Sequence, residues 1–172
     1  ANTLPTVSFD PPWPSPCTSV VVENTDEGMM PDDKNQQYWK PVERVEGNIF
    51  KSLEEAFEHP FPPPIKDYYG AFWCNGICVK FKDLHLNLIQ IWNSEDEEQL
   101  KENMLGHVFA KQKNRLPLSY FVACTDGDDI VSVLDQTGEV VLEKPGRKPH
   151  QVLATSLDDF LLSLTPSIDP YS

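Results

Sequence analysis

Between Ile77 and Lys113 the spacing of apolar residues changes from every second position to every third or fourth, and this switch constrains the fold more than any other feature. Ile77, Val79 and Phe81 alternate with Lys80 and Lys82, and Leu84, Leu86 and Leu88 continue the alternation. A period of two marks a strand with one buried face. Ile89 and Ile91 then make the opposite face apolar, which places this strand centrally in a sheet. From Ser94 the pattern becomes helical, with Leu100, Met104, Leu105, Val108 and Phe109 forming an apolar stripe. Ser94 and Glu97 have capping-box spacing, and Glu95, Asp96, Glu97 and Glu98 crowd the turn where the helix dipole favours anions. Lys111, Lys113 and Arg115 suit the other end and Pro117 closes it, so the spacing predicts a helix over 94–113.

The rest reads in shorter pieces. Pro11, Pro12, Pro14 and Pro16 surround Trp13, Cys17–Val22 reads as a short strand, and 23–33 as an acidic loop. Tyr38–Pro41 looks like an edge strand ended by proline. Ser52 and Glu55 fit a second capping box, with Leu53, Ala56 and Phe57 inward and Glu54, Glu55 and Glu58 outward. Pro60, Pro62, Pro63 and Pro64 are expected to stop that helix and form a stiff connector. Asn75–Gly76 carries a type I′ hairpin signal. Leu118–Thr125 reads as a buried strand, with further strands near 130–134 and 139–143, and 145–151 as a polar loop. Ser156 and Asp159 open a last helix with Leu157, Phe160, Leu161 and Leu164 inward. Hairpin strands punctuated by a few helices imply an α+β fold, one largely antiparallel sheet with helices packed on it. At 172 residues the chain is expected to be one domain, a Pro-rich segment at 1–16 and a core at 17–166.

The charge narrows the function. Fourteen Lys and Arg face 27 Asp and Glu, a net charge of −13. Nucleic acid and bare anionic lipid should repel such a chain, whereas a basic protein surface complements it. No run approaches the roughly 20 apolar residues that cross a bilayer, and the first residues do not resemble a signal peptide. Cys17, Cys74, Cys78 and Cys124 are then expected to be reduced thiols of a cytoplasmic protein. Cys74 and Cys78 with His85 match no common zinc spacing, and Asp126–Asp129 fits a hairpin turn better than a calcium loop. His59, His85, His107 and His150 are scattered, and no nucleophile or phosphate-loop motif occurs. We therefore assign no catalytic residue, metal or cofactor.

Several segments occur in a recognisable order: Pro14–Cys17, Tyr38–Pro41, Ala56–Phe57, Leu88–Trp92, Glu102–His107, Phe121–Ala123, Gly138–Val140 and the tail from Leu153 to Leu161. Over roughly 13–166, and most specifically over 88–113, the chain resembles the Syd family of bacterial SecY-interacting proteins. The resemblance implies an α+β fold similar to Smi1/Knr4-like (SUKH) proteins and a non-catalytic protein held loosely on the cytoplasmic side of the inner membrane through SecY. Family members usually carry an additional helix ahead of the segment matching Trp13–Cys17, and that helix is not expected here.

Cytoplasmic loops of membrane proteins are rich in Lys and Arg. An acidic concave surface is therefore expected to receive the basic loops of SecY and to regulate or survey the translocase, the chain acting as a monomer that reaches lipid only through SecY. The candidates are Glu95, Asp96, Glu97, Glu98 and Glu102, with Glu54, Glu55 and Glu58 as second choice. Two other readings fit the charge: an immunity-type inhibitor of a basic toxin nuclease, and a carboxylate-based hydrolase.

Overall fold

The computed structural model describes residues 6–8, 15–18, 36–45 and 47–167. In chain order the elements are β1 (Thr6–Ser8), β2 (Gln36–Tyr38), β3 (Val42–Glu43), α1 (Lys51–Phe57), α2 (Pro63–Gly70), β4 (Phe72–Trp73), β5 (Ile77–Phe81) and β6 (Leu84–Leu88). They continue with α3 (Ser94–Lys113), β7 (Ser119–Thr125), β8 (Ile130–Leu134), β9 (Val140–Glu143), β10 (Pro149–Ala154), α4 (Leu157–Leu162) and β11 (Thr165–Pro166). Seven strands form one antiparallel sheet in the order β10-β9-β8-β7-β6-β5-β11, and β1–β2 and β3–β4 are separate pairs. The fold is α+β, and β6 lies inside the sheet between β5 and β7, although its second face carries His85 and Asn87, and Ile89 and Ile91 fall beyond its end.

The main core joins Phe50, Phe61, Ile65 and Tyr69 around α1 and α2 to Tyr120, Val122, Val131, Val133 and Val140 of the sheet, with Met104, Val108 and Phe160 also buried. Full burial of each such side chain stabilises the fold by about 1.5–3 kcal/mol. A smaller cluster holds Cys17, Trp39 and Cys74, with Trp92 set edge-on to Trp39 at 5.7 Å. Ser156 caps α4 by accepting the Asp159 N–H, as its spacing predicts.

Helix α3 has the predicted bounds but a different cap. Asn93 Oδ1 accepts the Asp96 N–H at 2.9 Å, and Asp96 accepts the Trp92 N–H at 3.1 Å. The buried stripe is also turned: Leu100, Met104 and Val108 face inward with His107 and Lys111, while Leu105 and Phe109 are 41% and 60% exposed. Lys111 belongs to the interior, although its place in the last turn suits a solvated cation.

Other differences have local causes. Ser52 does not cap α1; Phe50 holds that position without a side-chain bond, and Ala56 is exposed. Pro62–Pro64 lead into α2 with proline in its first turn, where the missing N–H is no loss. Asn75–Gly76 does not turn a hairpin, because neither residue has positive φ and β4 pairs with β3. A Cβ on Gly76 would lie 2.8 Å from Oδ1 of Asn87, the tip of an exposed side chain that is free to swing aside. The hairpin lies at Lys82–Asp83, with Lys82 at φ 55°. Cys17 and Thr18 are helical where a strand is expected, and β10 begins inside the stretch that reads as polar loop. Trp13, residues 19–22 and the acidic loop 23–33 lie outside the described residues.

Candidate functional site

An open groove of about 860 Å³ runs between Arg44 with residues 47–55 on one side and the first two turns of α3 on the other. Arg44 anchors it. The Arg44 side chain is 1% exposed, stacks 3.8 Å over the Trp73 ring and donates to Glu97 Oε2 at 2.5 Å. Glu97 also holds Lys101 at 2.6 Å, one helical turn on, and Lys101 reaches Glu98 at 3.0 Å. Burial disfavours the charge on Glu97, but the hydrogen bonds and charges of Lys101 and Arg44 outweigh it and hold the carboxyl below its ordinary range. Burial likewise opposes the charge on Lys101, and its two carboxylate partners still raise its pKa.

The predicted acids separate into three groups. Glu55, Glu97 and Glu98 line the groove. Glu95, Asp96 and Glu102 lie exposed on the same helix outside the lining, with Asp96 engaged by the Trp92 N–H. Glu54 turns away to accept from Phe61 N–H, Asn48 and Lys66, and Glu58 ends α1 outside the groove. Arg44, Lys51 and Lys101 also line the groove, so among the described residues three cations match three carboxylates, and further acids of α3 lie beside it. Arg44, Trp73 and Lys101 are not among the residues that the sequence singles out. The i,i+4 spacing of Glu97 and Lys101 could have found that pair, whereas nothing local signals Arg44.

A second polar constellation is buried under α3. Lys111 and Glu143 form an ion pair with both side chains at 0% exposure, and Lys111 Nζ also donates to the Arg147 carbonyl at 2.9 Å. Ser119 donates to Glu143 Oε1 at 2.6 Å and lies 3.0 Å from His107 Nε2. Burial lowers the His107 pKa, with Glu143 opposing and Lys111 adding to the shift, and because Ser119 gives its hydrogen to Glu143, its oxygen is left to accept from His107 Nε2. Each buried charge is thus paired or hydrogen-bonded, as an interior requires. The groove offers fixed cations and carboxylates at its wall, an arrangement suited to pairing with charged side chains of a partner.

The chain matches, over residues 1–166, the family model described as Syd protein (SUKH-2). It is 39% identical over 158 residues to Protein Syd of Hahella chejuensis, spanning 92% of this chain and 78% of that one. It is 37% identical over 168 residues to Protein Syd of Psychromonas ingrahamii, covering 97% and 86% of the two chains. The similarity to Protein Syd of Pseudoalteromonas atlantica is 36% over 162 residues, covering 94% and 83%. With the family match running through the antiparallel sheet and the whole of α3, and relatives aligned along most of their own length, the chain belongs to the Syd family.

Proposed function

We propose that this chain is a non-enzymatic acidic protein that binds the basic cytoplasmic loops of the SecY channel at the N-terminal end of α3, regulating or surveying the translocase. The observation that carries this reading is the meeting of Glu55 with Glu97 and Glu98 across one groove, with Glu95, Asp96 and Glu102 exposed on the same helix. Arg44 and Lys101 satisfy Glu97, so that residue shapes the wall while Glu55 and Glu98 meet the loop's Lys and Arg side chains. Screening confines the attraction to about 8 Å at physiological salt, so the charge guides encounter and register more than it sets affinity.

A binding role also fits the ionisation of the groove. A hydrolase needs one carboxyl held above its ordinary pKa as general acid, and Glu97 is shifted the opposite way. Among the described residues no helix is long and apolar enough to cross a membrane, which suits a monomer held peripherally on the cytoplasmic face through SecY. Capture by SecY-containing vesicles tests the reading. The double variant Glu55→Lys/Glu98→Lys should weaken capture about tenfold with little change in melting, because both residues are exposed. Undiminished capture would remove the groove from the interface.

A further inference from the structure

We propose that the opposite end of α3 carries a docking surface for anionic phospholipid headgroups, which turns the protein onto the membrane beside the channel. This proposal rests on the SecY reading and extends it to lipid. Lys113 and Arg115 stand at the end of α3, and Lys144, Arg147 and Lys148 lie in the β9–β10 loop; all five are exposed. Lys144 reaches toward Asp128 at 3.6 Å, and His150 meets Asp129 at 3.1 Å, so these two acids of the β7–β8 turn are directed toward that side of the loop. Arg147 and Lys148 remain on the loop, and Lys113 and Arg115 flank Asn114, which faces them across a shared concavity.

Two features make this end a built surface. The buried Lys111–Glu143 pair, through the bond from Lys111 Nζ to the Arg147 carbonyl, fastens the loop to the last turns of α3. Between Asn114 and Leu116 on one side and Pro145–Lys148 on the other lies a concavity of about 610 Å³, with Arg147 and Lys148 in its lining. Guanidinium and ammonium groups are the natural donors to phosphate oxygens.

The net charge of −13 does not oppose this local attraction. A 20-residue helix separates the acidic and basic ends by about 30 Å, several times the screening length of about 8 Å. Each end therefore meets its surroundings nearly independently. If the acidic end engages a channel loop, the basic end lies within one helix length of the surrounding headgroups, where clustered Lys and Arg strengthen association with anionic lipid. The expectation that the whole protein is repelled by lipid then holds for the free molecule and fails for this end once the protein is docked.

The experiment compares capture of the full chain by SecY vesicles made of phosphatidylcholine alone or with phosphatidylglycerol. Phosphatidylglycerol should raise capture of the wild-type protein about tenfold. Arg147→Glu/Lys148→Glu should lose that gain while binding the phosphatidylcholine vesicles as before. Lys80→Glu/Lys82→Glu, an equal charge change at the β5–β6 hairpin, should keep it. A lipid gain that is absent in the wild type, or that survives in Arg147→Glu/Lys148→Glu, overturns the lipid proposal and leaves SecY binding standing. Failure of the wild type to bind SecY in either lipid overturns both readings.

Discussion

The Arg44 guanidinium meets the Glu97 carboxylate at 2.5 Å across 53 residues of sequence, tying the segment after β3 to the first turns of α3. The contact separates two neighbouring acids that look alike in sequence. Glu97 is 15% exposed at its side chain and held by two cations, while Glu98 is 72% exposed. One builds the groove wall and the other is available to a partner.

Glu97→Gln is therefore expected to destabilise the fold by about 2 kcal/mol, since it takes a carboxylate away from the buried Arg44 guanidinium. Glu98→Gln should stay within about 0.5 kcal/mol of the wild type. Urea unfolding of the two variants measures the contrast, and equal effects would contradict the division of roles.

The same contact sets a pH dependence. The folded-state pKa of Glu97 lies below its ordinary value of 4.5, so the folded protein releases that proton more readily than the unfolded chain. The stability this provides is complete above the unfolded value and is lost as pH falls through the folded one. Wild-type unfolding free energy should thus fall below about pH 4.5, and Glu97→Gln should show a shallower slope there. Parallel slopes would contradict the assignment.

The buried Lys111–Glu143 pair calls for a thermodynamic cycle. Lys111→Met or Glu143→Gln alone should destabilise by about 3–5 kcal/mol, because each leaves an uncompensated charge in the interior. The double variant should lose much less than the sum of the two. Additive losses, read from denaturant unfolding, would mean the two side chains do not act as a pair.

Thiol chemistry reports on the small second core. Burial raises the Cys74 pKa to about 11, with Cys17 adding to the shift, and burial also raises Cys17. Both thiols are inaccessible, whereas Cys124 is exposed. Iodoacetamide at about pH 8 should modify Cys124 well before Cys17 or Cys74. Equal labelling by mass spectrometry would show that the cluster around Trp39 is open.

Much of this fold was legible because local signals agreed with tertiary demands. Helix α3 carries acids at its start, an apolar stripe and a closing proline, and its bounds follow from those alone. The Asn75–Gly76 signal misled because a turn pair specifies a hairpin only when its flanking strands pair, and β4 pairs elsewhere. The prolines before Ile65 looked like helix breakers, yet proline is tolerated in a first turn. The acidic stretch of α3 could be read, but how its members divide could not. Arg44, which neutralises Glu97, and Glu143, which draws Lys111 inward, lie 53 and 32 residues from their partners. Only the sheet and its packing bring them together.

Binding at the groove is tested by amide chemical-shift mapping with a synthetic peptide copying a basic cytoplasmic loop of SecY. Shifts should concentrate at residues 47–55 and 94–102, fade as salt rises and be absent with an acidic peptide of equal length. Shifts centred on the β5–β6 hairpin or on α4, with the groove silent, would contradict binding there.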